Sequence, residues 1–161
     1  MERDLADLRC FAALLEAHRQ WESETGQRVN VKALREWLWF YWQAPRRPQP
    51  LVRNKYPALI PWSMAARQVI SDSIPGGLVI EHREPIKLVI RELLDQSPVD
   101  LDQLREVLDT RLTCCVITKE EDRAVTKAGY GTAKVPGAGD DPWARYRAAG
   151  IDPDTFAPLS P

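Results

Sequence analysis

Glu81 and His82 are adjacent residues whose side chains could act together in catalysis. They follow the apolar run 78–80, whose β-branched residues predict a short strand. At the end of a strand, the carboxylate could bind a metal ion and the imidazole could serve as a ligand or as a general base. The sequence contains only one other histidine, His18, so residues 81 and 82 are where this chemistry is indicated.

A second set of residues could bind an anionic partner. The sequence between Glu36 and Asp72 contains no acidic residue, and basic and aromatic residues lie within it. Cationic side chains bind phosphates or carboxylates, and exposed rings stack on bases or pack against a protein partner. The alternative is that the rings belong to the core and the arginines to a solvated loop. The predicted binding residues are Arg46, Arg47, Arg53, Lys55, Tyr56 and Trp62.

The spacing of apolar side chains predicts the N-terminal elements that would position these residues. Such side chains recur at helical intervals over 3–22, and His18 lies on the same face. We expect His18 to be hydrogen-bonded at the edge of the core, because no cysteine, aspartate or second histidine lies at ligand spacing. Further helices are predicted over 31–43, with Asn30 as N-cap, and over 62–71. A proline-rich segment between them is expected to be extended.

The C-terminal half alternates predicted helices with a second strand. Residues 113–118 read as a strand covered on both faces. Thr118 and Glu121 have the spacing of a capping box, which predicts a helix directly after it. Two more helices are expected to begin at Pro85 and at Ser97-Pro98. The sequence therefore predicts a mainly helical α+β fold, with about six or seven helices around a small two-stranded element.

Length and composition indicate one globular domain. A chain of 161 residues with 44% hydrophobic and 28% charged residues can form its own core. We predict a single domain over 1–150 and a proline-rich tail over 151–161. The cysteines number three, and the adjacent Cys114 and Cys115 would point to opposite faces of a strand. No disulfide framework is expected, and reduced thiols are the simplest interpretation.

The sequence also indicates where in the cell the protein is expected. The N-terminal residues are rich in charge and lack the apolar core of a secretory signal. No apolar run approaches the roughly 18 residues that a membrane span needs. With a net charge of -1, the whole chain has no general attraction for nucleic acid or anionic lipid. We therefore expect a cytoplasmic protein with no membrane partner.

The pattern Glu81-His82-x-x-Pro85 resembles the opening of the HNH, or ββα-metal, nuclease motif. There, an acidic residue and a histidine end a strand and a proline follows three positions after the histidine. The resemblance implies that His82 is the general base that activates water and that Glu81 helps to hold a divalent cation. Further ligands would come from the acidic cluster at the start of the helix after Thr118. The implied metal ligands are Glu81, Glu120 and Asp122, with Glu121 as an alternative.

Two functions follow from these residues. The favoured function is a non-enzymatic binding or adaptor module, because no histidine follows His82 and no nucleotide-binding or nucleophile motif is present. It would engage an acidic protein or a nucleic acid and needs no cofactor. The alternative is a metal-dependent nuclease that hydrolyses phosphodiesters with a divalent metal and with His82 as base. In either case, the tryptophan-rich helix could also pack in an oligomer, and the sequence does not specify the oligomeric state.

Overall fold

The computed structural model describes residues 2–96 and 98–159, and over these residues the chain forms seven α-helices and two small two-stranded sheets. This confirms the predicted mainly helical α+β class. The helices are α1 (Glu2–Thr25), α2 (Lys32–Trp37), α3 (Met64–Ser71), α4 (Ile86–Asp95), α5 (Leu101–Arg111), α6 (Lys119–Lys127) and α7 (Ala144–Ala148). The strands are β1 (Leu51–Val52), β2 (Tyr56–Pro57), β3 (Leu78–His82) and β4 (Cys114–Thr118).

The chain divides into two compact units, each built from two separate stretches. The first unit comprises Met1–Arg47 and Ile86–Leu112, and the second comprises Pro48–Pro85 and Thr113–Pro161. This division is compatible with one domain or two, so the prediction of a single domain over 1–150 stays a prediction. Among the described helices, none combines the length and the hydropathy that crossing a bilayer requires.

The first unit is entirely helical. After α2 the chain continues as a π-helix over Leu38–Gln43 and a 3₁₀ turn over Ala44–Arg46. This matches the predicted helix over 31–43, although Val31 is the N-cap residue; the Asn30 side chain accepts a hydrogen bond from the Lys32 N–H at 3.0 Å instead. The apolar faces of α1, α2, α4 and α5 bury one another, as their spacing predicted. Central members of this core are Leu8, Phe11, Leu15, Leu34, Leu38, Trp42, Val89, Ile90, Leu104 and Leu108.

The second unit is organised around an antiparallel pair of strands. Strand β3 pairs with β4 from Leu78 opposite Thr118 to His82 opposite Cys114. The predicted capping box begins α6, since the Thr118 hydroxyl accepts from the Glu121 N–H and the Glu121 carboxylate accepts from the Thr118 N–H. Cys115 is fully buried whereas Cys114 is half-buried, as expected for neighbours on opposite faces of a strand.

Three segments differ from or extend the sequence predictions. The segment predicted as extended contains the hairpin β1–β2, whose turn places Arg53 and Asn54 at φ of 52° and 56°. The helix expected from Ser97-Pro98 begins at Leu101 and is capped by the Asp100 carboxylate; Ser97 lies outside the described residues. In the tail, Phe156 packs against two rings near α7, and residues 160 and 161 lie outside the described residues.

Candidate functional site

The end of strand β3 places Glu81 and His82 in a polar cluster of the second unit. Strand pairing sets Glu81 opposite Cys115 and His82 opposite Cys114. The Glu81 carboxylate accepts a hydrogen bond from the guanidinium of Arg145, which lies just inside α7. The Arg145 side chain is only 4% exposed and that of Glu81 is 24% exposed. The predicted metal ligand is therefore the anionic partner of a buried arginine.

Arg145 binds the surrounding backbone as well as Glu81. Its guanidinium donates to the carbonyl of His82 at 3.2 Å, and to those of Tyr130 and Gly131 at 3.3 Å each. Its Nε atom is buried without a hydrogen-bond partner in the described part of the chain. Sequence reasoning missed Arg145, because nothing in its immediate sequence distinguishes it from Arg147, which is 48% exposed. Its position shows that it holds the end of β3 to α7.

Burial determines the direction of the pKa shifts of Glu81 and Cys115. Burial raises the pKa of Glu81 above its usual range, the Arg145 guanidinium partly offsets this, and the nearby Asp122 adds to it. Burial likewise raises the pKa of the Cys115 thiol to about 12, although the Tyr146 hydroxyl lies 3.2 Å from its sulfur. Since the thiolate is the reactive form of cysteine, Cys115 is protonated and unreactive at neutral pH.

The acidic residues implied as metal ligands do not converge. In the part of the chain that the structure describes, no three His, Cys, Asp or Glu side chains are arranged to hold a metal ion. Glu120 is exposed and pairs with Arg123 at 3.2 Å. The Glu121 carboxylate accepts from Ser63 and from the Thr118 N–H at 2.7 and 2.8 Å. The ligand set Glu81, Glu120 and Asp122 is therefore not assembled here, and the nuclease function stays a prediction.

Arg46, predicted to bind a partner, is held by contacts within the first unit. Its guanidinium pairs with the carboxylates of Asp4 and Asp7 and lies 3.9 Å from the ring centroid of Trp42. It also donates to the carbonyls of Trp42 at 2.8 Å and Tyr41 at 3.1 Å. These contacts neutralise its charge locally and join the end of the π-helix to the start of α1. Arg46 as a binding residue stays a prediction, and its guanidinium would have to leave these contacts to bind a partner.

The π-helix of the first unit presents large rings to solvent. Phe40 is 62% exposed and Tyr41 is 53% exposed. Nearby, the guanidinium of Arg47 lies 5.3 Å from the ring centroid of Trp39. The sequence placed these rings in the helix but did not single out Phe40 and Tyr41 as binding residues. The sequence signal was that apolar residues lie on nearly all sides of this helix. Packing one face of such a helix against the core leaves some of its rings uncovered.

The second unit carries the other predicted binding residues. Arg53 and Lys55 are exposed on the β1–β2 hairpin, and the Lys55 ammonium lies 5.2 Å from the ring centroid of Tyr56. Tyr56 is 8% exposed and donates to the Leu78 carbonyl at 3.1 Å; Trp62 is fully buried and donates to the Pro57 carbonyl at 2.9 Å. The expectation that these two rings line a binding surface is therefore wrong. Both belong to the core of the unit, where their polar atoms are satisfied.

Comparison of the chain with known protein families, curated proteins and solved structures finds no match. The basis for a functional proposal is therefore the geometry of these regions.

Proposed function

We propose that the protein is a non-enzymatic binding module that engages an acidic partner, a protein or a nucleic acid, through an aromatic surface of its first unit. This aromatic surface consists of Trp39, Phe40, Tyr41 and Arg47. The observation that carries the proposal is the exposure of Phe40 and Tyr41, 62% and 53%, in one turn of a helix. Contiguous exposed apolar side chains of this size are typical of interaction sites.

The opposite face of the same helix holds the exposed rings in place. Leu38 and Trp42 are 0% and 3% exposed, so the helix is anchored in the core of the first unit. Tyr41 stacks on Trp37 with 5.3 Å between ring centroids, and Trp37 stacks on the buried Phe11 at 5.2 Å. A base or an aromatic side chain of a partner could extend this stack. Because Tyr41 is already held in this stack, ordering its ring on binding would cost little conformational entropy.

Cationic side chains favour an acidic partner. Arg47 lies over Trp39, the residue next to Phe40 in the chain, and the sequence from there to Asp72 contains no acidic residue. A guanidinium over an aromatic ring is a common arrangement where a protein contacts phosphates and bases, or carboxylates, of a ligand. Arg53 and Lys55 are exposed on the hairpin of the second unit and are not part of this aromatic surface.

The test compares binding of a fluorescein-labelled oligouridylate, a labelled single-stranded DNA and a labelled poly-glutamate peptide over a range of salt concentrations. Phe40→Ser with Tyr41→Ser is expected to weaken binding at least tenfold, because each lost ring contact is worth about 1–3 kcal/mol. Arg47→Gln is expected to lower the salt dependence by about one counterion. Met64→Ser is the matched control, since Met64 is 63% exposed but lies in the second unit.

Each outcome of this test has a defined meaning. Oligonucleotide binding that the ring variants lose identifies a nucleic-acid partner, and binding of poly-glutamate alone identifies an acidic protein. Binding that survives the ring and Arg47 variants with unchanged salt dependence overturns the proposal. The proposal is also overturned if no probe binds and the molecular mass in solution rises with protein concentration in the wild type but not in the Phe40→Ser variant. That result would show that the rings pack against a second copy instead.

A further inference from the structure

A groove on the first unit lies between the C-terminal half of α1 and the loop that follows it. It has a volume of about 410 Å³ and is lined by Ala17, His18, Trp21, Val29 and Asn30. This volume falls within the range of small-ligand sites. The lining contains no charged side chain, and Trp21 is 42% exposed. The groove therefore offers an indole ring and two polar side chains to a small, uncharged molecule.

The hydrogen bond of His18 defines which of its ring nitrogens is open to a ligand. Nδ1 lies 2.7 Å from the carbonyl oxygen of Leu14 in the preceding turn of α1. Because a carbonyl can only accept, Nδ1 carries the proton in this bond. In the neutral imidazole, Nε2 is then an acceptor. His18 is thus hydrogen-bonded as the sequence predicts, and Nε2 is the acceptor that its ring has left.

Asn30 contributes the complementary group. Its Oδ1 accepts from the Lys32 N–H at 3.0 Å, which fixes the orientation of the side-chain amide. The NH₂ group, which has two donor positions, is then the part of the side chain left for a ligand. Val29, 8% exposed, adds an apolar contact beside it.

We propose that this groove binds a neutral, planar aromatic molecule that carries a carboxamide-like donor and acceptor. The ligand ring lies against Trp21, its N–H donates to His18 Nε2, and its carbonyl accepts from the Asn30 NH₂. A carboxylate in place of the carboxamide lacks the donor, and with the imidazole of His18 neutral it brings a charge that no side chain of the lining compensates. This site shares no residue with the aromatic surface, and it does not depend on the proposed function.

Three matched probes test the proposal by ligand-observed NMR on the full chain: 1-naphthamide, 1-naphthoate and N,N-dimethyl-1-naphthamide. We expect 1-naphthamide to bind with a Kd of about 1 mM or lower, and the other two to bind at least tenfold more weakly. Addition of 1-naphthamide is also expected to shift the ¹⁵N resonance of His18 Nε2. Failure of 1-naphthamide to bind at millimolar concentration would overturn the proposal.

Variants of the lining locate the binding site. Asn30→Asp keeps an oxygen for the Lys32 N–H but replaces the NH₂ donor, so it is expected to weaken 1-naphthamide binding at least tenfold. Trp21→Ala removes the ring contact and is expected to do the same. Leu5→Ser, at another exposed position of α1, is the control and leaves binding unchanged. Thermal melts verify that each variant is folded. Equal binding by the wild type, Asn30→Asp and Trp21→Ala would refute the site.

Discussion

Arg46 and Arg47 are adjacent and look equivalent in the sequence, but their contacts in the structure differ. Replacing each of them by alanine therefore tests the structural role of these contacts. Arg46→Ala removes hydrogen bonds from a guanidinium to the carbonyls of Tyr41 and Trp42 and a ring contact at 3.9 Å. The Arg46 side chain is 28% exposed. Arg47 instead donates to the Ala44 carbonyl at 3.4 Å and lies 5.3 Å from the Trp39 ring centroid. The two substitutions should therefore affect stability very differently.

The expected loss for Arg46→Ala follows from these contacts. Hydrogen bonds from a charged donor contribute about 1.5–3 kcal/mol each and a cation–π contact about 0.5–1 kcal/mol. Ordering the arginine side chain costs about 2 kcal/mol. These terms leave about 1.5–5 kcal/mol. Because the side chain is 28% exposed, we expect a net loss near the lower end, about 2 kcal/mol in the free energy of unfolding, which lowers the Tm by about 4–8 °C for a chain of this size. Arg47→Ala removes a longer hydrogen bond and a more distant ring contact, so it is expected to cost less than Arg46→Ala.

Urea denaturation followed by circular dichroism measures both losses under the same conditions, and the oligonucleotide assay measures binding. Arg46→Ala should lose stability and keep its affinity once the unfolded fraction is taken into account. Arg47→Ala should lose less stability than Arg46→Ala and should lose affinity. Equal losses of stability in the two variants, or a larger loss in Arg47→Ala, would refute the structural role that we assign to Arg46.

Four further predictions concern the second unit and two of the thiols. Thr118→Ala removes the capping-box hydroxyl of α6 and should lower the free energy of unfolding by about 1 kcal/mol in urea denaturation. Because the folded-state pKa of Glu81 is raised, its contribution to stability is fully present below its ordinary value of 4.5 and is lost as the pH rises through the raised value. The stability of Glu81→Gln relative to the wild type should therefore increase with pH above 4.5, and a relative decrease would show that the Arg145 pairing outweighs burial. Iodoacetamide at pH 8 should label the exposed Cys10 in the native protein and Cys115 only after unfolding, as mass spectrometry can show. With Glu81 bound by Arg145, we expect no Mg²⁺- or Mn²⁺-dependent cleavage of DNA or RNA, and cleavage that His82→Ala abolishes would establish the nuclease function.

Features encoded over a few neighbouring residues were predictable from the sequence. The capping box at Thr118 and the helical spacing in α1 depend on contacts between residues at most four positions apart. The antiparallel pair β3–β4 follows from two short apolar runs in a mostly helical chain. Because local chemistry and burial favour the same structure at these places, the fold class could be inferred correctly.

The sequence predictions failed mainly where contacts between residues far apart in the chain, or an unusual turn, determine the structure. Glu81 and Arg145 lie 64 positions apart, and no local pattern indicates that they meet. Trp62 was expected on a surface, but its backbone pairs with Val116 and Ala157 and its ring lies in the core. The β1–β2 turn lacks glycine at both of its positive-φ positions, so the usual sequence signal for a tight turn is missing.

The alternation of the two units along the chain has a consequence for synthesis. The core of the first unit needs α4 and α5, so Leu8 and Leu15 cannot be buried until residue 112 has been made. At typical translation rates, this comes several seconds after residue 47 has been added. The core of the second unit is completed later still, because Trp62 pairs with Ala157. A chain that is cut short between residues 48 and 85 would therefore complete neither core, and its apolar helices would stay exposed to chaperones and proteases.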